Sequence, residues 1–195
     1  MQLNIYKISH PIIQFLSSSI INKTTSKSLH EQHYKYIGLL FIYEVLRKYI
    51  KTEELYIKNI HYTKNVNLIN LQNRCYIFTD LPSTYRMITD IKILLPNIEI
   101  VHVEYKNDHT IDKEIKNINK NIELKYFNIN IFILDEIIKN EEIIKLIKYL
   151  KRHTKVPSEN MHIACIACYN EILNKLSNIY PKLKVYTTKI IYNNK

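Results

Sequence analysis

Apolar runs and amphipathic stretches alternate along most of this chain. A run without polar interruptions is typical of a strand that is covered on both faces, as in a parallel sheet. Strands are predicted at residues 75–78, 98–103, 129–134, 161–167 and 183–187. The amphipathic segments between them predict helices, so the pattern indicates βαβ units with right-handed crossovers. The expected fold class is therefore α/β, with a parallel sheet flanked by helices.

Two helices are predicted near the start of the chain. Pro11 can occupy the first turn of a helix, and its buried face would be formed by Ile12, Ile13 and Leu16. A longer helix is predicted at about residues 29–50, where apolar residues recur at helical spacing. Both helices precede most of the predicted strands.

Two further stretches have weaker patterns. Residues 51–71 predict short strands and turns, with residues 56–62 as the clearest strand. Residues 105–127 form a long, charged and weakly patterned stretch, and loops of this length are usually functional flaps or flexible excursions. We therefore expect one domain over residues 1–195, with a flexible flap at 105–127.

Acidic residues follow the predicted strand at residues 129–134. Asp135 and Glu136 come directly after it, and a helix is predicted to begin near Glu141. In open α/β sheets, ligands bind where such a strand leads into its helix. A turn that cradles phosphate usually needs glycine, because its backbone N–H groups must approach the anion closely. This turn contains no glycine, so it is a candidate site with an unusual sequence.

The composition is that of a globular chain with an excess of basic residues. Hydrophobic residues make up 46% of the 195, and 28 Lys+Arg against 18 Asp+Glu give a formal charge of +10. A basic surface can bind nucleic acid, but abundant Ile, Asn, Lys and Tyr also follow from AT-rich codons. Because the lysines are scattered, we favour codon bias and do not expect a nucleic-acid partner. No apolar run is long enough to cross a bilayer, so no membrane association is expected.

The three cysteines are predicted to be buried, reduced thiols. An odd number of cysteines without a secretory signal favours a location inside a cell or an organelle. His162, Cys165 and Cys168 have spacing that suggests metal ligands, but a closed zinc site needs four. Strand alternation also places His162 and Cys165 on opposite faces. We therefore expect no metal site here.

Glycine-dependent binding motifs are excluded by the single glycine of this chain. Gly38 lies inside a predicted helix. Neither a Walker A loop, nor a dinucleotide fingerprint, nor a nucleophile elbow can be built around it.

Short motifs along the chain point together to one family. Residues 10–14 read HPIIQ, residues 43–47 read YEVLR, residues 167–172 read ACYNEI and residues 180–187 read YPKLKVYT. In order and spacing they resemble motifs of the uracil phosphoribosyltransferases, over nearly the whole chain. The resemblance implies a type I phosphoribosyltransferase-like fold, here with a reduced hood. It also implies the family reaction, in which uracil and phosphoribosyl pyrophosphate (PRPP) give UMP and diphosphate in pyrimidine salvage.

Two phosphate-contacting arginines of the family have no arginine counterpart here. The turn that resembles the family's P-I-L-R-A-G-L carries Pro82 where the arginine is expected. Pro82 has neither a charge nor a backbone donor. Lys106 stands where the family has an arginine beyond the next strand, and it lacks the bidentate fork.

The loop that would bind PRPP is also altered. It aligns with residues 135–142 and is one residue shorter than in the family. Asp135 matches the family's leading Asp, Glu136 follows it, and Asn140 corresponds to its Thr. The paired glycines of the family are replaced by Glu141 and Glu142, and two carboxylates facing a phosphate repel it.

These departures lead us to expect an inactive family member, with no catalytic residue and no cofactor. The family would use Mg²⁺ with PRPP, and we expect that this is not retained. A weakly active or altered-substrate phosphoribosyltransferase and a basic nucleic-acid-binding or interaction protein are the alternatives. The resemblance implies a homodimer. The AT-biased composition and the bacterial type of the family favour a plastid (stroma) protein, with the cytoplasm of an AT-rich bacterium as the alternative.

Overall fold

A computed structural model describes most of the chain. The described residues are 3–22, 26–70, 73–95, 98–103, 112–113, 115–116, 118–120 and 128–192. Within them no helix has both the length and the apolar character that crossing a membrane would require.

Six parallel strands form the central sheet. Their spatial order is β1-β8-β7-β6-β4-β5, and each neighbouring pair runs in the same direction. The strands β2 and β3 form a separate antiparallel pair. In chain order the strands are β1 Asn4–Lys7, β2 Thr52–Lys58, β3 Thr63–Ile69, β4 Asn73–Thr79, β5 Ile98–His102, β6 Asn128–Ile138, β7 Met161–Tyr169 and β8 Lys184–Ile191. The predicted parallel α/β sheet is confirmed.

Helices cover both faces of this sheet. They are α1 Pro11–Asn22, α2 Lys27–Leu46, α3 Leu81–Ile88, α4 Ile91–Leu94, α5 Glu142–His153 and α6 Asn170–Ile179. Alternate residues of the central strands enter two separate cores. Ile131 and Ile133 of β6 pack with α5 and α6, whereas Phe132 and Leu134 pack with α1, α2 and α3.

The contact between α2 and α3 depends on Gly38. A Cβ added at Gly38 would lie 2.1 Å from the carbonyl oxygen of Met87. Because that neighbour is backbone, it cannot move aside as a flexible side chain could. The close approach fixes α3, and with it the turn after β4, against α2.

Several element boundaries differ from the sequence prediction. β6 continues four residues beyond the predicted strand end, since Ile137 and Ile138 still pair with Ala167 and Cys168 of β7. Ile12 was predicted to be buried and is 54% exposed. The buried face of α1 is formed instead by Ile13, Leu16, Ser17, Ser19 and Ile20.

Only part of the predicted flap at 105–127 belongs to the described residues. Residues 112, 113, 115, 116 and 118–120 are helical, and Ile115 and Ile118 are buried in the core beside α5 and α6. The Asn119 side-chain amide donates to the carbonyl of His153 (2.8 Å). These contacts attach this part of the stretch to the end of α5. Lys106 and the rest of the flap lie outside the described residues.

Candidate functional site

A cavity opens where the sheet changes its winding direction. β4 lies between β5 and β6. The chain therefore passes from β4 to β5 on one side, and the next strand of the sheet, β6, lies on the other side of β4. Ligands of open α/β sheets bind in the crevice at this switch point. A cavity of about 310 Å³ lies there, at the carboxyl ends of β4 and β6. Its lining consists of Asp80, Ser83, Asp135, Glu136, Ile137, Ile138, Lys139, Asn140, Glu142 and Ile143.

The turn after β4 contributes Asp80 and Ser83. The Ser83 hydroxyl donates to the backbone carbonyl of Asp80 (2.9 Å), and the Asp80 carboxylate does not cap the helix. Pro82 is exposed in the first turn of α3 and does not line the cavity. The backbone N–H of Leu81 donates to His102 Nδ1 (3.2 Å). The first amide of α3, a natural anion donor, therefore already has a partner in the protein.

The acidic pair of β6 lies within the strand, not after it. Asp135 Oδ1 accepts the backbone N–H of Glu136 (2.7 Å). Burial raises the pKa of Asp135 to about 6, and the nearby Glu136, Asp80 and Glu142 add to the rise, against the lowering effect of that hydrogen bond. Deprotonation of Asp135 is therefore disfavoured by its own surroundings.

Glu136 is held from α2. The Tyr34 hydroxyl donates to Glu136 Oε1. Burial, together with this hydrogen bond and the carboxylate charge, raises the pKa of Tyr34 above its usual range. Tyr34 therefore remains a neutral donor that fixes one carboxylate of the cavity.

The two glutamates at the start of α5 point in different directions. Glu142 lines the cavity. Glu141 does not, because its carboxylate pairs with Lys175 of α6, which lowers the pKa of Glu141. Of the two carboxylates that the sequence suggested would face a phosphate, Glu142 lines the cavity and Glu141 does not.

The charge of the cavity is negative. Among its described lining residues, four carboxylates stand against one ammonium group, Lys139. Negative charge favours bound cations, but no group of three or more His, Cys, Asp or Glu among the described residues can hold a metal ion.

The sequence prediction named four of the ten lining residues, Asp135, Glu136, Asn140 and Glu142, but did not single out Asp80 or Ser83, nor Tyr34, which holds Glu136. Asp80 and Ser83 belong to the turn that resembles a phosphate-binding segment of the family, and this resemblance was the signal that could have found them. Tyr34 gave none, since it lies 102 residues before its partner Glu136.

The His–Cys motif of β7, considered above as a possible metal site, is part of the core. His162 packs beside Tyr49 and Phe132 on the α2 side of the sheet, whereas Cys165 faces α5 and α6. The cysteines are free and buried, and burial raises the pKa of the Cys75 thiol to about 12. These positions match the prediction of core thiols.

Sheet order, helix layers and the switch-point cavity together define a phosphoribosyltransferase-like α/β protein. The AQ2163 protein from Aquifex aeolicus has a similar structure, with a TM-score of 0.71 over 98% of this chain and 89% of that chain, at 14% identity. At this identity the likeness concerns the fold alone.

The sequence model of the uracil phosphoribosyltransferase family matches residues 7–193. The chain therefore belongs to the uracil phosphoribosyltransferase family. A "Uracil phosphoribosyltransferase homolog" of Porphyra purpurea is 30% identical over 97% of this chain and 89% of that protein. A protein of the same description from Pyropia yezoensis is 28% identical over 99% and 91%. The "Uracil phosphoribosyltransferase" of Synechococcus elongatus is 22% identical over 97% and 87%.

Proposed function

We propose that this protein is a catalytically inactive member of its family that does not bind PRPP. The observation that carries the proposal is the charge of the switch-point cavity, where Asp80, Asp135, Glu136 and Glu142 stand against Lys139. PRPP is a polyanion, and its transfer chemistry depends on groups that stabilise pyrophosphate. A cavity of this charge disfavours that ligand before any chemistry begins.

The depth of the carboxylates strengthens the repulsion. Asp135 and Glu136 are half-buried, and at such a position one carboxylate disfavours an anion by about 1 kcal/mol or more. The raised pKa of Asp135 has the same origin, because burial and neighbouring carboxylates already oppose its own negative charge.

The turn that leads into α5 does not form a phosphate-binding backbone site that could offset this repulsion. It contains Lys139, Asn140 and Glu141 and no glycine, so its backbone is less free to approach an anion. A helix N-terminus favours negative charge, but the first turn of α5 carries Glu142. Glu142 therefore already adds a negative charge at this helix N-terminus, which opposes a bound anion.

Isothermal titration with PRPP and Mg²⁺ tests the proposal. We expect no binding heat, and no UMP when uracil is added. The enzyme from Synechococcus elongatus, titrated in the same buffer, is the positive control. Micromolar affinity for PRPP, or UMP formation above background, would overturn the proposal.

We also propose that the protein works in a plastid and forms a homodimer. The plastid location is supported by the AT-biased composition and by relatives from Porphyra purpurea, Pyropia yezoensis and Synechococcus elongatus. Immunodetection in purified plastids tests the location, and a signal confined to another fraction contradicts it.

The homodimer is supported by family membership, and sedimentation velocity measures it directly.

A further inference from the structure

The outer face of α5 carries a row of basic residues. Lys148 and Arg152 follow Lys145 at i+3 and i+7, the spacing of residues on one helix face, and all three are exposed. At 1.5 Å per residue this row is about 10 Å long, and the exposed Lys151 lies beside it. The apolar residues of α5 are buried in the core on the opposite side. No Asp or Glu occurs in the sequence at residues 143–158.

A second row with the same spacing lies on the helical residues that precede β6. The described lysines of this segment are all exposed, namely Lys113, Lys116 and Lys120. They again stand at i, i+3 and i+7, so they share one side of a helix. Ile115 and Ile118 of the same segment are buried in the core. The three lysines therefore lie on the outward side, as the row of α5 does.

Hydrogen bonds hold the two rows next to each other. The Asn119 side-chain amide donates to the carbonyl of His153 (2.8 Å), and the Asn119 side-chain oxygen accepts the backbone N–H of Lys155 (3.2 Å). The Tyr149 hydroxyl of α5 donates to Asp112. Packed helices lie about 8–10 Å apart, so the two rows form one basic surface about 10 Å long and about 10 Å wide.

Few carboxylates oppose this basic surface. Glu141 forms its ion pair with α6, and it also lies near Lys145. Asp112 accepts a hydrogen bond from α5, and Glu114 lies outside the described residues. In the part of the chain that the structure describes, no carboxylate forms an ion pair with any other basic residue of the two rows. The surface therefore keeps most of its positive charge.

We propose that these two rows bind the phosphate backbone of nucleic acid. The phosphates of one duplex strand follow each other every 3.4 Å along the helix axis, so a row of about 10 Å spans about three of them. Phosphate contacts position a nucleic acid without reading its bases, and the binding is therefore independent of base sequence. The lysines look scattered along the sequence because helical spacing separates them by two or three residues, whereas folding places them on one surface.

The composition of this surface favours nucleic acid over a membrane or an acidic protein. A helix that lies on a membrane inserts apolar side chains, but among the described residues of α5 and of 112–120 no large hydrophobic residue is exposed. Protein interfaces are enriched in aromatic residues and depleted of lysine. Clustered Lys and Arg on one face are instead the electrostatic footprint of phosphate binding.

Fluorescence anisotropy with labelled nucleic acids tests the proposal on the full chain. The probes are a short DNA duplex and a short single-stranded RNA, both of mixed sequence. If each row neutralises three phosphates, the slope of log K against log salt concentration is about −5 for the duplex and about −4 for the single strand. The affinity for the duplex should then fall by about a thousandfold between about 50 and 200 mM salt. The two slopes and affinities show which of the two forms the surface prefers.

Paired substitutions locate the binding surface. Lys148→Gln with Arg152→Gln removes two cations from α5, and Lys116→Gln with Lys120→Gln removes two from the second row. Each pair is expected to weaken binding by about tenfold or more at about 100 mM salt and to reduce the slope by about 2 for the duplex. The matched control is Lys27→Gln with Lys92→Gln, which removes the same charge from exposed positions of α2 and α4 on the other face of the sheet. The control is expected to leave the affinity and the slope nearly unchanged, and circular dichroism checks the fold of each variant.

Three outcomes would overturn the proposal. The first is a wild-type protein that binds neither probe at about 50 mM salt. The second is a control pair that weakens binding as much as the two row pairs do, because net charge and not this surface would then govern binding. The third is binding to phosphatidylserine vesicles without binding to either nucleic acid, which would assign the surface to a membrane. None of these outcomes depends on whether the cavity binds PRPP.

Discussion

The pKa values of buried titratable groups shift in opposite directions at the two ends of the parallel sheet. At the carboxyl end, Asp135 lies beside other carboxylates, and its pKa is raised to about 6. At the amino end, His162 lies among aromatic rings, and burial, with a contribution from Lys184, lowers its pKa to about 3. Both ends favour the neutral form. At the carboxyl end, Asp135 also lines an open cavity of about 310 Å³.

The groups around His162 and Asp135 explain the difference between the two ends of the sheet. Around His162 the hydrogen-bonding groups are neutral, since its Nε2 lies 3.3 Å from Asn130 Oδ1 and the Tyr49 and Tyr186 hydroxyls are 2.6 Å apart, and Lys184 is the charge that contributes to its pKa. Around Asp135 they are mostly charged and of one sign. The amino end is therefore a sealed part of the scaffold, whereas the carboxyl end has an open cavity whose described charged lining is mostly negative.

The largest effect is expected from Phe132→Ala at the amino end. The Phe132 ring is buried and contacts the rings of Tyr49 and His162. Truncation of a buried Phe typically lowers the free energy of unfolding by about 3–5 kcal/mol. Urea denaturation followed by circular dichroism measures it. Phe15→Ala, at an exposed ring of α1, is the control and should cost under about 1 kcal/mol. Equal losses would contradict a sealed amino end.

The second effect is a loss of stability in acid that depends on His162. Its pKa is lower in the folded protein, about 3, than in the unfolded chain, about 6.5. The unfolded state therefore binds the proton more readily. Stability is complete above about pH 6.5 and falls towards about pH 3, by about 1.4 kcal/mol per pH unit at most.

His162→Gln, which keeps an amide donor towards Asn130, should remove this slope. Urea denaturation at several pH values between about 4 and 7 compares the two proteins. A slope that is unchanged in the variant would show that the acid sensitivity lies elsewhere.

The third effect has the opposite pH dependence and belongs to the carboxyl end. The pKa of Asp135 is raised on folding, so its contribution to stability is present at low pH and is lost as the pH rises through about 6. Asp135→Asn should therefore stabilise the protein above about pH 6, by about 1–2 kcal/mol, and have little effect below about pH 4. Thermal melts at about pH 4 and about pH 8 measure this. Equal shifts at both values would contradict it.

The sequence predicted the scaffold more fully than the site. The central strands were found because each is an apolar run with β-branched residues. The end of β6 was placed four residues too early, because Ile137 and Ile138 were assigned to the loop at residues 135–142, whereas their pairing with β7 keeps them in the sheet. That pairing is a tertiary contact, and local pattern does not reveal it.

The sequence also did not reveal the directions in which the side chains of the site point. Glu141 and Glu142 are adjacent in sequence, yet successive residues at a helix start point about 100° apart. One therefore reaches Lys175 and the other faces the cavity. The separation of β2 and β3 from the main sheet was equally hidden, since the strand predicted at residues 56–62 gave no sign of it, and these residues include the end of β2 and the turn before β3.

The smallest effect is expected from Glu142→Gln, which neutralises one exposed carboxylate of the cavity. An exposed charge contributes about 0.2–1 kcal/mol, so the affinity for pyrophosphate should rise by about two- to fivefold and remain weak. Line broadening of pyrophosphate in ³¹P NMR measures affinities in this range. Glu141→Gln is the matched control, because Glu141 pairs with Lys175 and does not line the cavity. If both variants raise the affinity equally, net charge governs anion binding. If only Glu142→Gln does, the cavity itself excludes phosphate.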